Sequence, residues 1–185
     1  MRIVQSSSMI TIDQCDYLRK VLQRFNITNA RSVVTPLPMG YIPIPNDQPV
    51  DEDTCHRFQQ VIGSLLYLML GTCSNIAFAV TKLSQYAANP SKDHLAKALY
   101  ICHYLVGTSD YKLVYRRQAS NGEGLFAEAD SDWASDSTTR RSTTGYFVHL
   151  AGGVFSWNSR AQKTVALSST EAEYMLISDA SRQLV

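Results

Sequence analysis

The chain has 185 residues, 45% of them apolar and 18% charged, with 17 Lys+Arg against 16 Asp+Glu for a net charge of +1. That composition excludes a disordered polyampholyte, and the near balance excludes a polybasic binder whose affinity comes from bulk charge. The balance hides an asymmetry: residues 1–120 sum to +4 and residues 121–185 to −3, which predicts two units with different roles.

The longest apolar run, residues 61–70, is interrupted by Gly63 and Ser64. It falls far short of the roughly 20 residues that a membrane helix needs. The opening MRIVQSSSMI holds one Arg but neither an apolar core nor a small-residue cleavage site, so no secretory signal is expected. Cys15, Cys55, Cys73 and Cys102 form no CxxC pair. They read as reduced, mostly buried thiols of an intracellular protein, cytoplasmic or nuclear, with no membrane partner.

In chain order, residues 8–12 read as the tail of a strand. Tyr17, Leu18, Val21, Leu22 and Phe25 then recur at helical spacing, and that helix is expected to end near Asn26. Five of the six prolines follow, Pro36, Pro38, Pro43, Pro45 and Pro49. Proline fixes φ and removes a donor, so this stretch is an extended connector. A second helix is expected from Asp53 or Thr54, with Phe58, Val61, Ile62, Leu65, Leu66 and Met69 on one stripe, broken at Gly71 and Thr72. A third is expected after Asn75, with Ala79, Val80, Leu83 and Tyr86 inward, before the Asn89-Pro90 breaker. Ser91 is the expected N-cap of a fourth, with Asp93 in its first turn, Leu95, Ala98, Leu99, Cys102 and Leu105 on its stripe, and Gly107 as its stop.

Beyond Gly107 the period changes to two. Strands are expected at 111–115, 124–130, 144–150 and 154–157, with a polar turn at 119–124 and a Gly152-Gly153 turn. Ser168-Ser169-Thr170 caps a last helix from Glu171, with Ala172, Met175, Leu176 and Ala180 inward.

Acidic residues of this second part gather at a strand end, Ala129-Asp130-Ser131-Asp132-Trp133, and at a helix start, Thr170-Glu171-Ala172-Glu173-Tyr174. Carboxylates so placed can converge on divalent cations, and two such ions about 4 Å apart stabilise both oxygens of phosphodiester cleavage. Spacing alone leaves open a plain alternative: Asp130, Asp132 and Asp136 as turn residues, and Glu171 and Glu173 as favourable charges at a helix N-terminus.

The stretch ADSDWASDSTTRRSTTGYFVHLAGGVFSWNSRAQKTVALSSTEAEYM resembles the start of the ribonuclease H domain of copia-type retrotransposon polyproteins. That family reads approximately SDADWAGD, STSGY, an SW-containing strand and TVALSSTEAEY. Upstream, ITIDQCDYLRKVLQRF, VVTPLP, VIGSLLYLMLGTCSNIAFAVTKLSQYAANPSKDH and HYLVGT resemble, in the same order, the end of the reverse transcriptase. The resemblance implies an α+β chain. Residues 1–116 would form a mostly helical thumb-and-connection region. Residues 124–185 would form a truncated ribonuclease H-like three-stranded antiparallel sheet with one helix.

Residue by residue, the first Asp of SDADWA falls on Asp130 and the second Glu of TEAEY on Glu173. The resemblance makes these two the metal ligands, for Mg²⁺ in the parent enzyme, facing each other on one side of the sheet. Glu171 becomes a capping residue that points away. The implied partners are an RNA/DNA hybrid and the remainder of the polyprotein. A family site uses four carboxylates, and the third and fourth are expected beyond Val185. The polymerase aspartates are expected upstream of the block at residues 9–14. The chain alone is therefore expected to be inactive.

The sequence departs from the family at 71–76, where GTCSNI stands for GTRPDI, and at 99–108, where LYICHYLVGT stands for KRILRYLKGT. Each lost basic position removes a phosphate contact. Alternative readings are a non-catalytic RNA/DNA-binding remnant and a truncated product without selected function. His56, His94, His103 and His149 read as surface or packed residues, Arg116-Arg117 and Arg140-Arg141 as short basic pairs, and Trp133 and Trp157 as packing. The strand at 124–130 is expected to expose an unpaired edge, a route to self-association.

Overall fold

A computed structural model of the chain describes residues 1–117, 124–135 and 139–183. Among these residues the fold is α+β, with six strands in two three-stranded sheets and five α-helices. Contacts divide it into two units, Met1–Ile3 with Ile12–Lys112, and Val4–Thr11 with Leu113–Val185. The residues of the first hairpin and of the strand near 113 thus group with the second unit. Most of the expected turn at 119–124, together with Asp136 and Val185, lies outside the described residues.

The first unit is built from α1 (Cys15–Arg24), α2 (Glu52–Gly71), α3 (Ala77–Ser84) and α4 (Lys92–Gly107). Asp51 starts α2 by accepting from the Thr54 N–H and hydroxyl, both at 2.8 Å. Phe58, Val61, Leu65 and Leu68 are fully buried against Val80 and Leu83 of α3 and Ile101 and Leu105 of α4. Each such burial stabilises by about 1.5–3 kcal/mol. At the end of α2, Thr72 Oγ1 donates to Gln14 Oε1 at 3.0 Å. The Gln14 amide also packs so close to Gly71 that a Cβ there would lie 2.6 Å from Gln14 Cδ. Close approach, as well as helix breaking, therefore explains this glycine.

Helix α3 stops at Ser84, so Tyr86 lies beyond it. The Tyr86 hydroxyl donates to Pro43 O at 3.2 Å, and its ring stacks on His94 with centroids 4.2 Å apart. His94 completes a capping box. Ser91 Oγ accepts from the His94 N–H at 3.1 Å, and His94 Nδ1 accepts from the Ser91 N–H at 3.0 Å. The connector at 27–50 forms no helix or strand. It is tied down by Tyr41, which donates to Asp93 Oδ2 at 2.7 Å, and by Asn89, which donates to Asn46 O at 2.8 Å.

One sheet has the order β1 (Arg2–Gln5), β2 (Met9–Asp13), β3 (Leu113–Arg116). Strand β1 is exposed throughout and so has no buried face to generate an alternating pattern. The other sheet has the order β4 (Phe126–Asp132), β5 (Thr143–Leu150), β6 (Gly153–Ala161), all antiparallel. Ala151 and Gly152 both have positive φ, 53° and 72°, the backbone of a two-residue type I′ hairpin. Strand β6 continues past Trp157 to Ala161 because Asn158, Ser159 and Arg160 pair with Tyr146, Gly145 and Thr144; ladder pairing overrides their polar side chains. Strand β3 lies against this hairpin, with the Arg116 N–H donating to Ala151 O at 2.9 Å and the Tyr115 hydroxyl to Val154 O at 2.7 Å.

Helix α5 (Ser169–Ser181) covers one face of the second sheet. Its Leu176 and Ala180 cluster with Tyr146 and Val148 of β5 and Ala127 of β4. Strand β4 ends the sheet and pairs with β5 alone among the described residues.

Candidate functional site

Strand alternation decides where the acidic residues of β4 stand. Ala127 pairs with Val148, Ala129 with Tyr146 and Ser131 with Thr144. Tyr146, Val148 and Thr144 are buried on the helix side. Directly opposed residues share a face, so Ala127, Ala129 and Ser131 face α5, while Glu128, Asp130 and Asp132 take the other face. Asp130 stands opposite Gly145, which leaves open space beside its carboxylate.

Helix α5 is oriented by two contacts with the end of β6. Gln162 Nε2 donates to Ala172 O at 2.9 Å, and Arg160 Nη2 donates to Asp179 Oδ2 at 2.6 Å. The side bearing Ala172 and Asp179 therefore meets β6. Glu173, one residue or 100° further round, stands on the side of β4. Asp130 and Glu173 thus flank the free edge of one strand, Asp130 from its open face and Glu173 from the helix side. Both are exposed, and neither has a hydrogen-bond or ion-pair partner among the described residues.

Glu171 has a different task. Its Oε2 accepts from the Leu167 N–H at 2.6 Å, while the Glu171 N–H donates to Ser168 Oγ at 3.1 Å. It lies about 200° round the helix from Glu173 and is used in the cap. Trp133 ties the end of β4 to the loop before α5, its Nε1 donating to Ala166 O at 3.1 Å. Behind it, the Ala134 N–H donates to Ser142 Oγ at 3.1 Å, and the Gln162 N–H to Ser142 O at 2.8 Å. Ser142 and Gln162 are buried. Sequence reading passed over both, because a lone Ser or Gln beside a strand carries no periodic signal.

The donor chemistry suits a hard cation, since two carboxylates are oxygen ligands of the kind Mg²⁺ takes. The number does not: among the described residues no three His, Cys, Asp or Glu side chains gather into a group that could hold a metal. Asp130 and Glu173 by themselves do not form an Mg²⁺ site. His149 Nε2, 3.3 Å from Glu128 Oε2, is part of a cross-strand ion pair and of a stack on Phe126 with centroids 4.5 Å apart.

The chain is 35% identical, over its whole length, to a retrovirus-related Pol polyprotein from transposon TNT 1-94 of Nicotiana tabacum. It is 34% identical over 94% of its length to the corresponding polyprotein from transposon RE1 of Arabidopsis thaliana. The chain belongs to the retrotransposon Pol-polyprotein family. It spans 14% of the tobacco polyprotein and 12% of the Arabidopsis one. A Pol-related sequence also occurs in a much shorter protein: 69% of this chain matches, at 41% identity, 89% of secreted RxLR effector protein 161 of Plasmopara viticola. No family model matches this Pol-related chain, and no solved structure matches it. Among its described residues no helix is long and apolar enough to cross a membrane.

Proposed function

We propose that the chain is the portion of a retrotransposon Pol polyprotein that joins the end of reverse transcriptase to the start of a ribonuclease H-like domain. The observation that carries this reading is one site seen in two ways. The TEAEY helix start and the ADSDWA strand end, which the family resemblance singles out, lie on elements packed together around the free edge of β4. The similarity to Pol polyproteins along the whole chain supports the same reading.

On this reading residues 1–116 serve as thumb and connection, and residues 124–185 supply Asp130 and Glu173 as two of the ligands of an Mg²⁺ site. The parent activity is RNA-templated DNA synthesis with removal of RNA from the hybrid, and the parent's nucleic-acid partner is an RNA/DNA hybrid. Bound Mg²⁺ would supply charge stabilisation at the cleaved phosphodiester. The contribution of this chain is to present two unneutralised carboxylates on a rigid strand and helix. Completing the site takes further carboxylates placed along the edge of β4.

The chain alone is therefore expected to cleave no RNA/DNA hybrid in Mg²⁺. The assay is gel analysis of a labelled hybrid with wild-type chain and Asp130→Asn. Equal, background-level cleavage by both is the expected result. Cleavage by the wild type that Asp130→Asn abolishes would refute the incomplete site.

A further inference from the structure

A second feature lies on the opposite side of α5. Between α5 and the end of β6 runs a cleft of about 370 Å³, lined by Arg160, Gln162, Lys163, Tyr174, Asp179 and Arg182 among others. That volume lies at the lower end of the roughly 300–1,000 Å³ typical of small-molecule sites. Tyr174, Ser178 and Arg182 follow one another at i, i+4 spacing, so they form one ridge of the helix. Glu173 is on a different face, and the cleft shares no residue with the Asp130–Glu173 pair.

The charge in the cleft is three cations against one carboxylate. Asp179 accepts from Arg160 at 2.6 Å and lies 3.8 Å from Arg182 Nη1, so it holds both guanidinium groups at the rim. One carboxylate cannot occupy the five donors that each arginine carries. The Lys163 ammonium has no partner among the described residues.

Two further groups narrow the ligand. Tyr174 is 70% exposed and presents an aromatic face to the wall. Gln162 is 5% exposed. Its Nε2 is committed to Ala172 O, and its Oε1 is buried without a hydrogen-bond partner. An anion-binding rim, a stacking face and a spare amide acceptor in one cleft match a phosphate, a planar base and an N–H or hydroxyl donor.

We propose that this cleft binds a nucleotide unit, with its phosphate between Lys163, Arg182 and the free donors of Arg160 and its base against Tyr174. The unit can come from a free mononucleotide or from one position of a single strand, which present the same chemistry. Binding here needs neither a divalent cation nor Asp130 and Glu173, so it goes beyond the hybrid-cleavage reading and stands or falls separately from it.

The test is an amide-shift titration of the full chain, without divalent cations, using adenosine monophosphate, a pentanucleotide single strand and inorganic phosphate as probes. Shifts confined to residues 160–163 and 174–182 are expected with at least one nucleotide probe. Saturation by the mononucleotide assigns a free nucleotide; binding of the pentanucleotide alone assigns a strand; either supports the site. Lys163→Gln with Arg182→Gln, both at exposed side chains, should weaken binding about tenfold or more. Tyr174→Leu should weaken nucleotide binding about fivefold or more and leave inorganic phosphate unchanged. No shift with either nucleotide probe on the wild-type chain would overturn the proposal. So would unchanged affinity in the double variant, or an affinity for nucleotide that Tyr174→Leu does not alter.

Discussion

Acidification should weaken the first unit through one residue, His94. Its ring is fully buried and stacked on Tyr86, and its Nδ1 accepts from the Ser91 N–H. Burial holds its pKa below the ordinary histidine value, against the opposing pull of the Asp93 charge and the Ile44 backbone. The sign follows from linkage. In the unfolded chain His94 titrates near about 6.5. Above that pH it is neutral in both states and its stability contribution is complete. As pH falls below it, the unfolded chain takes up a proton that the folded chain resists. Stability is then lost at up to about 1.4 kcal/mol per pH unit until the lowered folded pKa is passed.

Protonation also turns Nδ1 from acceptor to donor, which breaks its half of the capping box. A lost cap costs about 1 kcal/mol. His94→Gln keeps an acceptor at this position but does not titrate. It should lose about 1–3 kcal/mol at pH 7.5 through the missing ring, and it should remove this histidine's share of the pH dependence. The assay is the urea midpoint, followed by far-ultraviolet circular dichroism, at half-unit steps from pH 7.5 to 5. Parallel pH profiles for wild type and His94→Gln would refute the reasoning.

Two further outcomes are expected. A methyl on Gly153 would collide with the Val114 carbonyl and lie 2.8 Å from Tyr115 Cδ1, so Gly153→Ala should destabilise by about 1–3 kcal/mol; an unchanged thermal midpoint would contradict the close packing of β3 on the hairpin. Leu125 is 48% exposed beside the unpaired edge of β4, and such edges template association. The chain should therefore sediment with concentration-dependent oligomers that Leu125→Lys reduces, whereas a strict monomer at all concentrations would show that the edge is inert.

Much of the first unit was legible along the chain. Prolines at 36, 38, 43, 45 and 49 announced the connector because proline denies both helix and ladder. Ser91 and Gly107 bounded α4 as expected, and Ser168 capped α5, because a cap is a contact between residues three apart. Strand β1 and the far end of β6 were not legible, since their side chains carry no alternating apolar pattern and their existence rests on pairing with distant segments.

The same division holds for the sites. Asp130 and Glu173 could be named from motifs, and Glu171 could be set apart from Glu173 by helical rotation alone, since 200° of separation is a property of the local backbone. Which face of β4 carries Asp130 depended on register with β5, where a slip of one residue would turn every side chain over. The use of His94 as a buried cap partner depended on Tyr86 arriving over its ring. The cleft joins Arg160 to Asp179 and Arg182. These residues are separated by a loop and a helix, and only the packing of α5 on the sheet brings their charges together. Local hydrogen bonding and periodicity are written in neighbouring residues, whereas cross-strand register and the docking of a helix are set by the summed burial of residues far apart in the chain.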